Sequence, residues 1–497
     1  MGRRLLLYSD NPPVGGVPQF NHSLLCKLAE AGYDVSAAQI RQAGPQVERE
    51  QSLGIHHYWL DPELVSGFDR SFDDLYTPLD VLLSSQPELI LFSDGWPLGN
   101  FAAKQVASYL GIPFLAVVGF VDGKCTQFTR ENGLNYAELM VNYYQQAQAV
   151  VAVSQQNLDI LQQLYQVGDQ GKVIHYGRPH NYFELPERTT RQTIRETLQI
   201  PSDAVVCFTS ARLAPIKGFD LQLAAIQQLQ SLPVWEKLYF LWAGSGYKDE
   251  NIGPELQDQV EQLGVADRVK FLGERRDIPD LLAASDIYIL PSRAEGMPLA
   301  IMEAMAKGLP IMASAVSGIP EELGETGQLL PDPNQDPAAT VTTLVTTLQA
   351  WVEDAELRSR MSQACRQRAE EMFTEARMHQ DYLTLIADTC DALPVTSVQQ
   401  TDVLSCDRKA ALDRQVSYAS LVRQAWARHN EGDLSGSIAA LNAALEDTPF
   451  LRTETLLHWI ESFARLSDGR GESFDAYDVC RLPEWQQFVQ HRETSTR

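Results

Sequence analysis

The stretch DIYILPSRAEGMPLAIMEAMAKGLPIMAS, residues 286–314, decides the fold. DIYIL is a short apolar run that reads as a buried strand. AIMEAMAKG is rich in Met and Ala and closes on Gly308, which reads as a helix with its glycine stop. LPIMAS is a second buried strand. Strand, helix and strand in one apolar unit imply two parallel strands joined by a crossover helix. Two glutamates interrupt it: Glu295 follows the first strand, and Glu303 sits in the second turn of the helix. The first N–H groups of that helix are unpaired donors. A carboxylate on an apolar helix face is costly if buried without donors. Vicinal hydroxyls, as on a ribose, would supply them, and Glu295 would accept from sugar hydroxyls in the same way. The plain alternative is that Glu303 faces solvent and Glu295 caps the helix.

The same alternation runs outward in both directions. Before the unit come AVVCFTSARL, FDLQLAAIQQLQS, KLYFLWAGSG, ELQDQVEQLGV, RVKFLG and IPDLLAAS, alternately strand and helix. Earlier still, LLLYS, DVSAAQI, HHYWL, ELILFSDG, PFLAVVGF, AVVAVS and KVIHYGRP read as strands with helices between most of them. The polar stretch NYFELPERTTRQTIRETLQIPSD separates the two runs. The fold class is therefore α/β: two doubly wound, Rossmann-like halves that present ligands at the carboxyl ends of their strands. The expected division is 1–190, 191–375, a further helix at 376–392, a linker at 393–407 and a helical module at 408–497. Within the last, SYASLVRQAWARHNEGDLSGSIAALNAALEDTP resembles one tetratricopeptide-type hairpin, a shape suited to protein contact or self-association.

Length and composition agree. At 497 residues, with 44% hydrophobic and 21% charged residues, the chain can build more than one core. A formal net charge of -25 argues against nucleic acid as a partner. Seven scattered cysteines without a C-x-x-C pair suit reduced thiols and the cytoplasm, free or peripheral to a membrane. The opening MGRRLLLYSD reads as a first strand, and no apolar run approaches spanning length.

Three further loops stand at strand ends. VGGVPQF places Gly15 and Gly16 before a helix, where backbone N–H groups can meet a phosphate. SARLAPIKGFD offers Arg212 and Lys217, a fork and a point charge suited to a diphosphate. WAGSGYKD carries Gly244 and Gly246, which permit close backbone approach to a ligand. Each loop alone also reads as an ordinary turn or a solvated surface.

Together the loops resemble the retaining family 4 glycosyltransferases of the GT-B fold, over roughly residues 3 to 390. The likeness is strongest from SARLAPIKGFD through AGSG, RVKFLGERRDIPDLLAASDIYILPSRAEGMPLAIMEAMAKGLPIMAS and SGIPEEL. It implies a nucleoside-diphosphate-sugar donor, an acceptor hydroxyl of unknown kind and no metal or other cofactor. By this likeness Arg212 and Lys217 hold the diphosphate with help from Gly15 and Gly16, and stabilise its departure. Glu303 takes the ribose hydroxyls. Glu295, Gly296, Met297, Pro298 and Leu299 surround the donor sugar and phosphate beside Gly244 and Gly246. MFTEARMHQDYLTLI matches the helix that crosses back to the first domain.

Three departures stand out. Many members place a histidine after the strand equivalent to FLAVV, where this chain has Gly119; His22, Asp94 and Asp122 are the candidates for a polar group on the acceptor side. The usual Gly-Arg is Ala211-Arg212. The usual Asn-Gly is Tyr176-Gly177, followed by Arg178, a further candidate contact. His56 and His57 alternate on a strand and read as structural, and Trp96 and Trp242 read as packing. The rival to an enzyme is a non-catalytic nucleotide-sugar sensor or scaffold that recruits a partner through the C-terminal helices.

Overall fold

The computed structural model describes residues 2–13, 15–60, 76–121, 136–184, 188–246 and 251–393, with six scattered positions between 428 and 443. Asp122, the linker from 394 and nearly all of the C-terminal module lie outside the described residues.

The first domain is built on β1 (Arg4–Ser9), β2 (Asp34–Ile40), β3 (His56–Leu60), β4 (Leu89–Asp94), β5 (Phe114–Val118), β6 (Ala149–Ala152) and β7 (Gly171–Val173). They form one sheet in the order β3-β2-β1-β4-β5-β6-β7, and every pair is parallel. The crossovers are α1 (Gly16–Glu30), α2 (Pro45–Ser52), α3 (Tyr76–Ser85), α4 (Phe101–Leu110), α5 (Tyr136–Gln146) and α6 (Gln155–Tyr165). β4 and β5 are buried at every residue, as a central parallel strand covered on both faces must be.

The second domain begins with α7 (Arg188–Thr197). Its strands are β8 (Val205–Ser210), β9 (Leu238–Ala243), β10 (Val269–Gly273), β11 (Ile287–Leu290), β12 (Ile311–Ser314) and β13 (Gln328–Leu330). Their order is β10-β9-β8-β11-β12-β13, again all parallel. α8 (Phe219–Leu229), α9 (Gly253–Gln262), α10 (Ile278–Ala284), α11 (Leu299–Ala306), α12 (Ile319–Leu323) and α13 (Pro337–Glu353) cover it. In both sheets the strand order reverses beside the first strand of the domain, which is where such sheets open a crevice.

The polar stretch between the two runs holds α7, which the sequence reading left as a separator. Its charges are not a solvated face. Arg191 and Arg195 reach Asp286 at 2.5 and 2.6 Å, and Arg195 also donates to the Ala284 and Ala204 carbonyls. Arg191 and Arg195 thus fasten α7 to the start of β11.

The chain then runs through α14 (Ala355–Met372) into α15 (Glu375–Ala392). α15 lies against α1, where the Tyr382 and Phe20 ring centroids are 5.3 Å apart. At the junction, the Arg178 N–H donates to Phe373 O at 2.8 Å and Glu375 N–H to Arg178 O at 2.9 Å. This short parallel bridge ties the interdomain strand of chain to the crossover helix. Among the described residues no helix is long and apolar enough to cross a membrane.

Candidate functional site

Lys217 ends a single 3₁₀ turn (Pro215–Lys217) after β8, and Gly218 follows it. Gly218 has φ +71°, and a Cβ there would lie 2.1 Å from the Pro291 carbonyl oxygen. Only glycine lets this loop lie against the end of β11. That contact brings Lys217 to Glu295: Nζ donates to both carboxylate oxygens, at 2.7 and 2.9 Å. The Ser292 hydroxyl donates to the same carboxylate at 2.7 Å, and the Glu295 N–H donates to Ser317 Oγ at 3.1 Å. Both side chains are mostly buried, 17% and 8% exposed, so the pair is little screened by solvent.

Two helices begin beside this pair. α11 starts after Pro298 with no side-chain cap and no acid in its first turn. α1 starts after Gly15, at φ +104°, also without a side-chain cap or acid in its first turn. The first residues of the two helices meet, since a Cβ on Gly16 would lie 3.1 Å from Leu299 Cδ1. Two uncapped N-termini, one from each domain, therefore converge with their N–H groups and positive dipole ends.

Gly296 sets how closely the domains approach here. A Cβ on it would meet the Gly119 carbonyl oxygen of the first domain at 2.2 Å, and its own carbonyl accepts from the Gly318 N–H at 3.0 Å. Gly296→Ala must push the domains apart. Misplacement on the order of 1 Å is expected to lower turnover by about 10- to 100-fold while leaving the second domain folded. Steady-state rates, with circular dichroism as the folding control, check this.

Glu303 is buried and paired. Arg178 Nη2 lies 2.6 Å from its Oε1, and the guanidinium stacks 4.8 Å above the Tyr182 ring. Burial raises the Glu303 carboxyl above its ordinary value, and Arg178 and Tyr182 pull it back down. Arg178, a further candidate contact in the sequence, stands against Glu303. The reason is the bridge to Phe373 and Glu375, which holds the Arg178 backbone at the domain junction.

The other candidates separate. Arg212 is exposed at the mouth of the β8 loop. Met297 is 3% exposed and packs into the core, so it offers the site only its backbone. Gly244, at φ +141°, is required by a close approach within the protein: a Cβ there would lie 2.0 Å from the Ala211 carbonyl oxygen. Its N–H is already given to Gly273 O, at 2.8 Å. At Gly246 the close neighbour is Asn251, 2.4 Å from where a Cβ would sit. Asp94 does not reach the cleft. It is 1% exposed and fully enclosed with Lys104 at 2.6 Å and Asn100 at 2.7 Å, because α4 packs its only lysine under the β4 end. Burial pushes its pKa up to about 6 against the pull of Lys104.

His22 lines a cavity of about 820 Å³ between α1, the interdomain chain and the loop before α10, which Arg178 and Leu299 also line. Its Nδ1 lies 2.7 Å from Glu50, which also holds His57 at 2.7 Å. Burial alone would raise the Glu50 carboxyl, but the two imidazoles hold it below its ordinary value. Contacts with Cys26 first and Glu50 second raise His22 from its usual 6.5 to about 9. The folded protein thus holds a proton that the unfolded chain releases. This contribution to stability is complete below pH 6.5 and disappears as pH rises toward 9. The melting temperature is expected to fall across that window and to fall less in His22→Gln.

Four contacting side chains escaped the sequence reading: Ser292 and Ser317 on Glu295, and Gln19 and Tyr182 around Arg178. None has a local signature. Tyr176 explains one departure. A side chain at Gly119 would meet the Tyr176 hydroxyl at 2.9 Å, so tyrosine after β7 fills the space beside the bare glycine after β5. Among the described residues no three His, Cys, Asp or Glu side chains are grouped to hold a metal ion.

Residues 203–350 match the family described as Glycosyl transferases group 1. This segment is a group 1 glycosyltransferase domain. The domain contains Arg212, Lys217, Glu295 and Glu303, all four side chains that the sequence assigned to the donor. Mannosylfructose-phosphate synthase of Agrobacterium fabrum is 30% identical over 183 residues, 35% of this chain and 39% of that protein. The lipopolysaccharide core mannosyltransferase LpsB of Rhizobium meliloti is 43% identical over 156 residues, 30% of this chain and 42% of the relative. The chain spans about two fifths of the length of these curated relatives. Among solved structures, Anabaena HepE in complex with UDP and glucose superposes with a TM-score of 0.62 at 21% identity, covering 79% of this chain and all (100%) of that one. Sucrose-phosphate synthase of Thermosynechococcus elongatus gives 0.62 at 20% identity, over 78% and 100% of the two chains. The group 1 domain is thus the second half of a GT-B fold.

Proposed function

We propose that the chain is a retaining glycosyltransferase that moves a sugar from a nucleoside-diphosphate sugar to an acceptor hydroxyl without a metal ion. The observation that carries this reading is the meeting of the two uncapped helix starts at Gly16 and Leu299, on the loop that carries Glu295 and its Lys217 partner. Such a place suits a diphosphate, with N–H groups and an ammonium for the anion, and two carboxylates nearby that hydroxyls can reach once their present partners yield. The group 1 domain and the UDP held by the similarly folded HepE support the same assignment.

In this reading the bond between the sugar's anomeric carbon and the leaving phosphate oxygen breaks. The acceptor oxygen bonds to that carbon on the same face, and the departing diphosphate takes the acceptor's proton. Negative charge grows on the diphosphate as the bond stretches. Lys217 and the helix N–H groups stabilise it there, and Arg212 joins them from its exposed position at the mouth of the β8 loop. The thiols described, at Cys26, Cys207, Cys365 and Cys390, are free, which fits a cytoplasmic enzyme.

The test is nucleoside diphosphate release by the purified chain, with UDP-, GDP- and ADP-sugars offered singly and Arg212→Ala as control. Release from one donor, abolished in the variant, supports the reading and names the donor. Donor binding without release, in the presence of a broad acceptor set, favours a sensor. Binding of none of the three removes the donor site.

A further inference from the structure

Glu303 Oε1 is engaged by Arg178 at 2.6 Å, with the two side chains only 7% and 10% exposed. The same guanidinium nitrogen reaches Gln19 Oε1 on α1 at 3.1 Å. Backbone bonds to Phe373 and Glu375 fix the residue at the junction of the two domains, so any change of pairing falls to its side chain. Its Nε is buried and finds no hydrogen-bond partner. The cation is thus incompletely satisfied where it stands.

A carboxylate oxygen that accepts from a guanidinium is not open to a ribose hydroxyl in the same geometry. We propose that Arg178 sets donor affinity by occupying Glu303 until the ribose displaces it, with its bond to Gln19 retained. This rests on the assignment of Glu303 to the ribose. Apparent affinity then equals intrinsic affinity scaled by the fraction of molecules in which Glu303 is open. Arg178 acts against the donor, whereas a phosphate-binding arginine would act for it. The two roles predict opposite signs.

The experiment is calorimetric titration of the full chain with UDP, GDP and ADP. Wild type, Arg178→Met and Arg178→Gln are compared; the Gln variant keeps a polar side chain in the buried position and removes the cation that holds Glu303. Displacement predicts binding about 3- to 10-fold tighter in both variants. A merely structural role does not tighten binding, because loosening the junction costs the ligand nothing it can regain. Unchanged or weaker binding in either folded variant overturns the proposal. Should Arg178→Met fail to fold, Arg178→Gln decides on the same criterion. Binding by a variant but not by wild type is the extreme form of the expected result. Binding of no nucleotide by any of the three proteins overturns the donor-site reading itself, and the proposal with it.

Discussion

Lys217→Ala lowers turnover by about two to three orders of magnitude, the loss expected when one preorganised donor to a developing anion is removed. The size follows from the setting. Lys217 Nζ is held by two bonds to Glu295 beside two helix starts, in a site where both partners are mostly buried. Charge placed there acts on the leaving diphosphate through little water. The same substitution carries a stability cost, because Glu295 loses its cation. Breaking a buried pair from one side costs on the order of 3 to 5 kcal/mol, less here because Lys217 retains some solvent contact. The two effects separate in the double variant Lys217→Met with Glu295→Gln. Its melting temperature is expected to recover most of the loss, because no unpaired charge remains, while its turnover stays low. Recovery of turnover in the double variant would show that Lys217 serves only to neutralise Glu295.

Glu303→Gln is expected to raise the nucleoside diphosphate dissociation constant by about 10-fold or more, since a hydrogen bond to a charged group contributes roughly 1.5 to 3 kcal/mol. Glutamine keeps the shape of the side chain and one acceptor, so the change reports charge rather than a cavity. The same substitution weakens the hold of Arg178, which favours the ligand and places the net loss toward the lower end. Glu303→Ala adds a second effect: the buried Arg178 is left with Gln19 and the Tyr182 ring alone. That variant should lose stability as well as affinity, and a melting curve beside the titration distinguishes the two. An unchanged dissociation constant in Glu303→Gln would take Glu303 out of the site. Sugar occupancy is not needed for this test, so it also stands apart from any acceptor.

The alternation of strand and helix was legible because apolar runs, glycine stops and period are local properties. DIYIL, AIMEAMAKG and LPIMAS became β11, α11 and β12 nearly as read. The loops were legible for a related reason. Gly244 and Gly246 mark close backbone approach, although only the structure shows that the near neighbours are Ala211 and Asn251. α7 was missed because its arginines look solvated until Asp286 is beside them. Asp94 looked like a cleft residue for the converse reason. Its strand end suggests a ligand, and its lysine partner comes from the following helix.

By itself the sequence determined two parallel-sheet domains and the loops at their strand ends, and it placed two carboxylates in an apolar unit; that both are buried came from the structure. The sequence did not determine what pairs with them. Lys217 and Glu295 are separated by 78 residues. Arg178 and Glu303 come from different parts of the fold, brought together by the return of the chain through Phe373 to Glu375. A buried charge states locally that it must be paired. Which group pairs with it depends on how distant segments pack, and that only the tertiary structure decided.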